Sequence, residues 1–268
     1  MGNYVYETID LNIDDRHVAT LCLNRPDKHN ALSEQMLDEI RAAATALATD
    51  SNVRIVVLTA KGHTFCAGGD LRWMKEQVKA NSDQRAIQAA KVANMLKAIN
   101  SLPKPVIGAL QGNAFGGGVG LAAVCDISIG IDSLTMGLTE VRLGLIPATI
   151  GPYVVKRIGE RNARRVFLSG SRFDAKMAVE MGILNYVVPK DKLYEAVRHE
   201  CDSLLECAPR AVGAAKQLIF KLSKPIDDET IAMSIDALTE RWNTDEAHDG
   251  IDAFFARRKP AWFLARSR

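Results

Sequence analysis

Two glycine-rich segments and one acid in an apolar stretch are the residues of this chain best suited to chemistry. Thr64-Phe65-Cys66-Ala67-Gly68-Gly69-Asp70 carries two adjacent glycines, and residues 112–120 carry five glycines in nine positions. Glycine admits positive φ and lets another backbone or a ligand approach closely. A glycine-rich turn that opens a helix also aims free N–H groups, and the positive helix end, at one point. Such a point can hold an anion or a developing oxyanion. The competing reading is tight packing of helix on sheet. Two such loops, each between a strand and a helix, raise the case for a paired N–H site. The acid is Glu140, in Gly137-Leu138-Thr139-Glu140-Val141-Arg142-Leu143-Gly144-Leu145-Ile146-Pro147. A carboxylate there tends to be desolvated, which raises its pKa toward the range useful for proton transfer. A surface ion pair with Arg142 is the alternative.

Two further patterns carry less. Gly118-Val119-Gly120-Leu121-Ala122-Ala123 matches GxGxxA, and Glu140 lies 20 residues beyond Gly120. That imitates a dinucleotide fingerprint, but Gly118 lies seven residues past Gln111, the end of its strand, and Glu140 sits in a turn-like segment. Cys66 has His63 nearby in sequence, yet it reads as a small buried residue under the loop rather than a nucleophile.

The elements that must position these residues alternate. Val18–Leu23 reads as a strand closed by the turn signal Asn24-Arg25-Pro26-Asp27. Ser33 can cap a helix whose Met36, Leu37, Ile40, Ala44 and Leu47 share one face. Residues 54–59 form a buried-type strand. The first glycine loop follows, then a helix from about Leu71. A long helix with Ile87, Ala90, Met95 and Ile99 inward stops near Pro103, and residues 105–111 form the next strand. Strand, glycine loop and helix thus recur at 54–79 and 105–124, which predicts an α/β domain with part of its sheet parallel. Residues 209–256 are helical in pattern. The expected division is an α/β core over 1–200 and a helical region over 201–268 that packs on the core or on a neighbouring subunit.

Composition excludes several classes. The chain has 268 residues, 47% hydrophobic and 25% charged, with a formal net charge of +2. Near-neutrality argues against nucleic acid as a partner, although Lys91, Lys97 and Lys104 form a thin basic series. The five cysteines, Cys22, Cys66, Cys125, Cys201 and Cys207, lack pairing or metal-type spacing, and no metal site is expected. They read as reduced thiols. No stretch has the apolar length to span a bilayer, and the N-terminus lacks the pattern of an export signal, so a cytoplasmic location is expected.

Four ordered motifs resemble the enoyl-CoA hydratase/isomerase, or crotonase, superfamily. Asn24-Arg25-Pro26-Asp27-Lys28-His29-Asn30-Ala31-Leu32 resembles its NRPxxxNAL opening. Phe65–Leu71 resembles its F-[SCA]-A-G-[AG]-D-[IL] loop. Residues 112–126 resemble its G-x-[AC]-x-G-G-G segment with the closing CD. Thr139–Pro147 resembles PE-x-x-x-G-x-x-P, with Thr139 where Pro often stands. The resemblance runs from about residue 5 to the C-terminus. It implies a spiral of ββα units with a C-terminal helical trimerisation region, and assembly as a homotrimer or dimer of trimers. Ile231, Met233, Ile235, Leu238 and Trp242 in that region are apolar residues that the core alone need not cover and that such an assembly would bury.

The resemblance also implies site roles. Gly69 and Gly117 would donate to the thioester oxygen of an acyl-CoA, and Glu140 would move the proton. Lys28, Ala67, Asp70, Leu71 and Gly116 match positions lining the substrate site, and Lys259, in the basic cluster Arg257-Arg258-Lys259, could meet CoA phosphates. CoA would be part of the substrate, with no separate cofactor. One departure matters: the first of the two glutamates typical of hydratases is replaced by Gly120. A single glutamate suits either hydration or Δ3-Δ2-enoyl-CoA isomerisation. Residues 137–155 and Asp70-Leu71-Arg72-Trp73-Met74 look most like bacterial methylglutaconyl-CoA hydratases of leucine breakdown, which places hydration first. The second carboxylate of a glutaconyl substrate would need a cation, with Arg72 and Arg142 as candidates. A eukaryotic relative that binds AU-rich RNA gives a third, non-enzymatic alternative.

Overall fold

The structure, a computed structural model, describes residues 6–223 and 226–263. Strands β1 (Ile9–Ile13) and β2 (Val18–Leu23) form an antiparallel hairpin. The turn signal after β2 becomes a short 3-10 helix, Pro26–Lys28. Ser33 then accepts from the Met36 N–H at 3.3 Å and opens α1 (Glu34–Thr49). This helix buries Met36, Leu37, Ile40, Ala44 and Leu47, as their spacing predicts.

Three similar units follow. The first is β3 (Ile55–Ala60), β4 (Thr64–Cys66) and α2 (Leu71–Lys79), with α3 (Ser82–Asn100) returning the chain. The second is β5 (Val106–Leu110), β6 (Asn113–Phe115) and α4 (Gly117–Ala123). The third is β7 (Ile127–Ile131), β8 (Thr135–Gly137) and the 3-10 turn Glu140–Leu143. Then come α5 (Gly151–Ser169), β9 (Arg172–Asp174), α6 (Ala175–Met181), β10 (Tyr186–Val188), α7 (Leu193–Leu205), α8 (Pro209–Leu222), α9 (Asp228–Trp242) and α10 (Asp245–Phe255).

The larger sheet has the order β1-β2-β3-β5-β7-β10 and the smaller β4-β6-β8-β9. Strands β3, β5 and β7 are parallel neighbours in the first, and β4, β6 and β8 in the second. Each unit therefore passes one strand through each sheet and then turns into a helix, which is the expected spiral of ββα units. Because β4, β6 and β8 run the same way, the segments leaving them emerge at one edge of the small sheet. Those segments are 67–71, 116–117 and 138–143, the three that carry the candidate chemistry.

Three expectations need correction. Ile87 is exposed, not inward; α3 instead turns Ala89, Ala93, Leu96 and the guanidinium-bearing Arg85 to the interior. Arg85 is buried because it donates to the Gln77 and Val78 carbonyls at the end of α2 and to Asn243. Residues 200 and 201 both lie within α7, whose Leu193, Val197 and Cys201 belong to the main core, so the outlying helices start at α8. Ile231 and Trp242 are buried within the chain, because α9 packs on α3. The large apolar residues left exposed in the C-terminal region are Leu218, Ile219 and Leu222 on α8, Met233 on α9, Phe254 on α10, and Trp262 and Phe263 after it. Lys216 docks α8 to the core through Asp126 at 2.7 Å.

Candidate active site

The two glycine loops meet backbone to backbone. Leu32 makes a parallel bridge to Gly69: its N–H donates to the Gly68 carbonyl at 2.7 Å, and its carbonyl accepts from the Asp70 N–H at 3.0 Å. In that register the Gly69 N–H points away from Leu32. Gly68 has φ +91° and Gly116 φ +50°, values that disfavour any side chain. A Cβ on Gly68 would come within 3.2 Å of the Phe115 carbonyl, and one on Gly116 within 3.7 Å of Gly68 Cα. The residues next to this crossing are Gly69 and Gly117. As the first residue of α4, Gly117 has an N–H with no acceptor inside the helix. Among the described residues no backbone carbonyl accepts from either N–H.

Glu140 arrives at the same place on the third unit. Its Oε1 lies 3.0 Å from where a Gly116 Cβ would stand, and its Oε2 is buried without a hydrogen-bond partner among the described residues. Burial pushes the carboxyl up to about 7. Of the two readings open in the sequence, desolvation holds and the ion pair with Arg142 does not form. The turn is held from outside. Gly144, which ends it with φ +72°, lies against the Glu246 carbonyl of α10, where a Cβ would come within 2.4 Å. Arg241 of α9 donates to the Gly144 carbonyl at 2.8 Å and to Glu246 at 2.6 Å. The C-terminal helices thus set the position of the acid.

Both loops and Glu140 line a cavity of about 420 Å³ whose far wall includes Leu143, Leu145, Ile146, Leu238 and Trp242. Ala67, Gly69, Leu71, Gly116, Gly117 and Glu140 are brought together in it; Lys28, Asp70 and Lys259 do not line it. Asp70 caps α2 through the Arg72 and Trp73 N–H groups and binds Arg25 at 2.9 Å. Burial pushes its carboxyl up, but the Arg72 N–H and Arg25 outweigh this and hold it below the usual carboxylate range. Lys28 is exposed beside Asp27, and Lys259 lies over the Phe263 ring.

Arg142 lines the cavity, whereas Arg72 is turned to solvent and paired with Glu76. Cys66 is fully buried beneath Gly118, and burial pushes its thiol up to about 12, which removes it as a nucleophile. Several lining residues, Arg172 among them, had no signal in the sequence. Arg172 comes in because β9 pairs with β8. Ile150 fills the space in front of Gly120, where a Cβ would stand 2.6 Å from Ile150 Cγ2.

The chain is similar along nearly its whole length to known proteins. The family profile described as enoyl-CoA hydratase/isomerase matches residues 14–264. An enoyl-CoA hydratase from Shewanella pealeana is 35% identical, with 96% of each chain covered and a TM-score of 0.79. An enoyl-CoA hydratase from Mycobacterium avium is 29% identical, with 97% of this chain and 100% of the other covered and a TM-score of 0.86. AtuE from Pseudomonas aeruginosa is 32% identical, with 96% of this chain and 99% of the other covered and a TM-score of 0.79. A motif-bearing spiral, a buried acid beside two crossed glycine loops and a match over nearly the whole length lead to one assignment: the chain belongs to the enoyl-CoA hydratase/isomerase family and has the crotonase fold.

Proposed function

We propose that the protein hydrates an α,β-unsaturated acyl-CoA thioester, with 3-methylglutaconyl-CoA or a related branched glutaconyl-CoA as substrate. The observation that carries this reading is the Glu140 carboxyl, with its buried Oε2 left without a hydrogen-bond partner among the described residues, beside the Gly68–Gly116 crossing. Ionised Glu140 takes a proton from water as its oxygen bonds to Cβ. The electron pair of the double bond moves onto the thioester oxygen, and the resulting enolate accepts from the Gly69 and Gly117 N–H groups. Glu140 then returns the proton to Cα, which regenerates the thioester carbonyl. Donors placed at the oxygen stabilise the enolate more than the ground-state carbonyl. The acyl assignment rests on the likeness of residues 137–155 to methylglutaconyl-CoA hydratases.

A second reading, isomerisation of the double bond, is favoured by the presence of one acid among the cavity-lining residues described. One carboxyl suffices to carry a proton between two carbons. A panel of enoyl-CoAs that includes 3-methylglutaconyl-CoA, assayed for water addition and for double-bond migration, separates the two. Migration without hydration would overturn the first reading. Lys91, Lys97 and Lys104 each have partners within the chain: Glu34 and Asp38, Asp228, and the Leu47 and Asp50 carbonyls. That favours the enzyme over an RNA-binding protein.

The mechanism starts from ionised Glu140, so acid should stop it. With the carboxyl at about 7, kcat/KM should rise tenfold per pH unit on the acid side and level off above about pH 7. A profile flat through that region would exclude Glu140 as the base. For assembly we propose a homotrimer or dimer of trimers that covers the exposed apolar side chains of α8 and α9. Light scattering at micromolar concentration should give three or six chains; a stable monomer refutes it. Among the described residues no helix is long and apolar enough to cross a membrane, and a cytoplasmic location is part of the same proposal.

A further inference from the structure

The cavity wall carries three charged residues among those described: Glu140, Arg142 and Arg172. Neither arginine has a carboxylate partner among the described residues. Two guanidinium groups without a carboxylate partner gain nothing from a hydrocarbon acyl chain. Their placement is defined. The Arg172 guanidinium lies over the Phe115 ring, 5.2 Å from its centroid. Its stem packs on Gly137, its register partner across β8 and β9, where a Cβ would be 3.6 Å from Arg172 Cγ. The Arg142 stem packs on Gly170, whose Cβ would lie 3.1 Å from Arg142 Cγ. Gly170 precedes Arg172 by two residues, so one short turn brings both cations to the same wall.

We propose that Arg172, with Arg142 beside it, receives a second carboxylate carried by the acyl group, so that the cavity selects dicarboxylic acyl thioesters. The inference rests on the hydratase reading only for where the thioester sits, at Gly69 and Gly117. Phosphate is the other anion a CoA ester brings. The pantetheine arm separates the diphosphate from the thioester, whereas Phe115, on which Arg172 lies, is followed directly by Gly116 and Gly117. Arg172 thus sits on the residue two positions before Gly117 and lines the same cavity, which fits an acyl carboxylate. A guanidinium can donate two parallel hydrogen bonds to the two oxygens of such a group.

Glutaryl-CoA and butyryl-CoA differ by a terminal carboxylate and neither can be hydrated. Calorimetric binding of both to the intact protein therefore tests the subsite apart from turnover. Arg172→Gln should lower the ratio of glutaryl-CoA to butyryl-CoA affinity by about 10–100-fold, the scale of a hydrogen-bonded charge pair, and Arg142→Gln should lower it less. Arg172→Lys should restore part of the ratio. Both arginines are exposed residues, and circular dichroism checks that each variant is folded. Equal loss for the two ligands would mean that the arginines serve the CoA phosphates and would overturn the proposal, as would an unchanged ratio in both glutamine variants. A ratio that falls in a protein that hydrates neither glutaconyl-CoA nor crotonyl-CoA would sink the hydratase reading and leave the subsite standing.

Discussion

Glu140→Gln should lower turnover by about 10²–10⁴-fold, the usual contribution of a positioned acid–base group, and at the same time make the protein more stable at pH 8. Glutamine keeps the shape of the side chain but cannot exchange a proton with water. The gain in stability follows from linkage. The carboxyl stands at about 7 in the folded chain against an ordinary value of 4.5 for a glutamate. Between those values the folded state holds a proton that the unfolded state has released, so stability falls as pH rises through that window. The ionised wild type should carry a penalty of about 3 kcal/mol above pH 7, which the glutamine variant escapes. Denaturant melts at pH 4 and pH 8 check this: the difference should be small at the lower pH and favour the variant at the higher. A variant that hydrates at near wild-type rate would show that another group is the base. One less stable at pH 8 would show that the carboxylate has a partner in the folded state.

Gly117→Pro should cost about 10²–10³-fold in kcat, because it removes one of two donors to the enolate oxygen. The first position of a helix tolerates proline better than any other helical position, since its N–H has no partner there. The side chain is the complication: a Cβ at 117 would stand 2.5 Å from Leu32 Cδ1. Gly117→Ala makes the same collision but keeps the N–H, so the difference between the two variants isolates the donor. The alanine variant should be far more active than the proline variant, with similar melting temperatures. Equal activity in both would assign the loss to Leu32 and remove Gly117 from the oxyanion role.

What the sequence revealed about this site was local. Ser33, the face of α1, both glycine loops and the apolar setting of Glu140 are each fixed by neighbours within a few residues, and each was legible. The third ββ unit was not: β7 and β8 are as long as β5 and β6, but no glycine-rich loop follows β8 to mark the unit. Ile87 misled because its apolarity fits an inward face, while the burial of Arg85 depends on carbonyls at the end of another helix and on Asn243. Arg172 stands 32 residues from Glu140 in an unremarkable polar stretch, and only the pairing of β8 with β9 brings it to the wall. Asp70 is the opposite case: the resemblance implied that it lines the substrate site, while its oxygens are taken by the first turn of α2 and by Arg25.

Gly120 and Ile150 fit each other as one block, and that bears on how such a catalyst changes over generations. A glutamate installed at 120 alone would drive its Cβ into Ile150, at 2.6 Å from Cγ2 and 3.0 Å from Cβ. Trimming Ile150 alone to alanine would leave a void behind a residue only 3% exposed, at a cost of about 2–5 kcal/mol. Each first step is disfavoured, and the second step repairs the first. The two positions should show strong sign epistasis in a double-mutant cycle. A lineage with this packing then crosses from a one-acid to a two-acid pocket by a coupled change, through an intermediate less fit than either end.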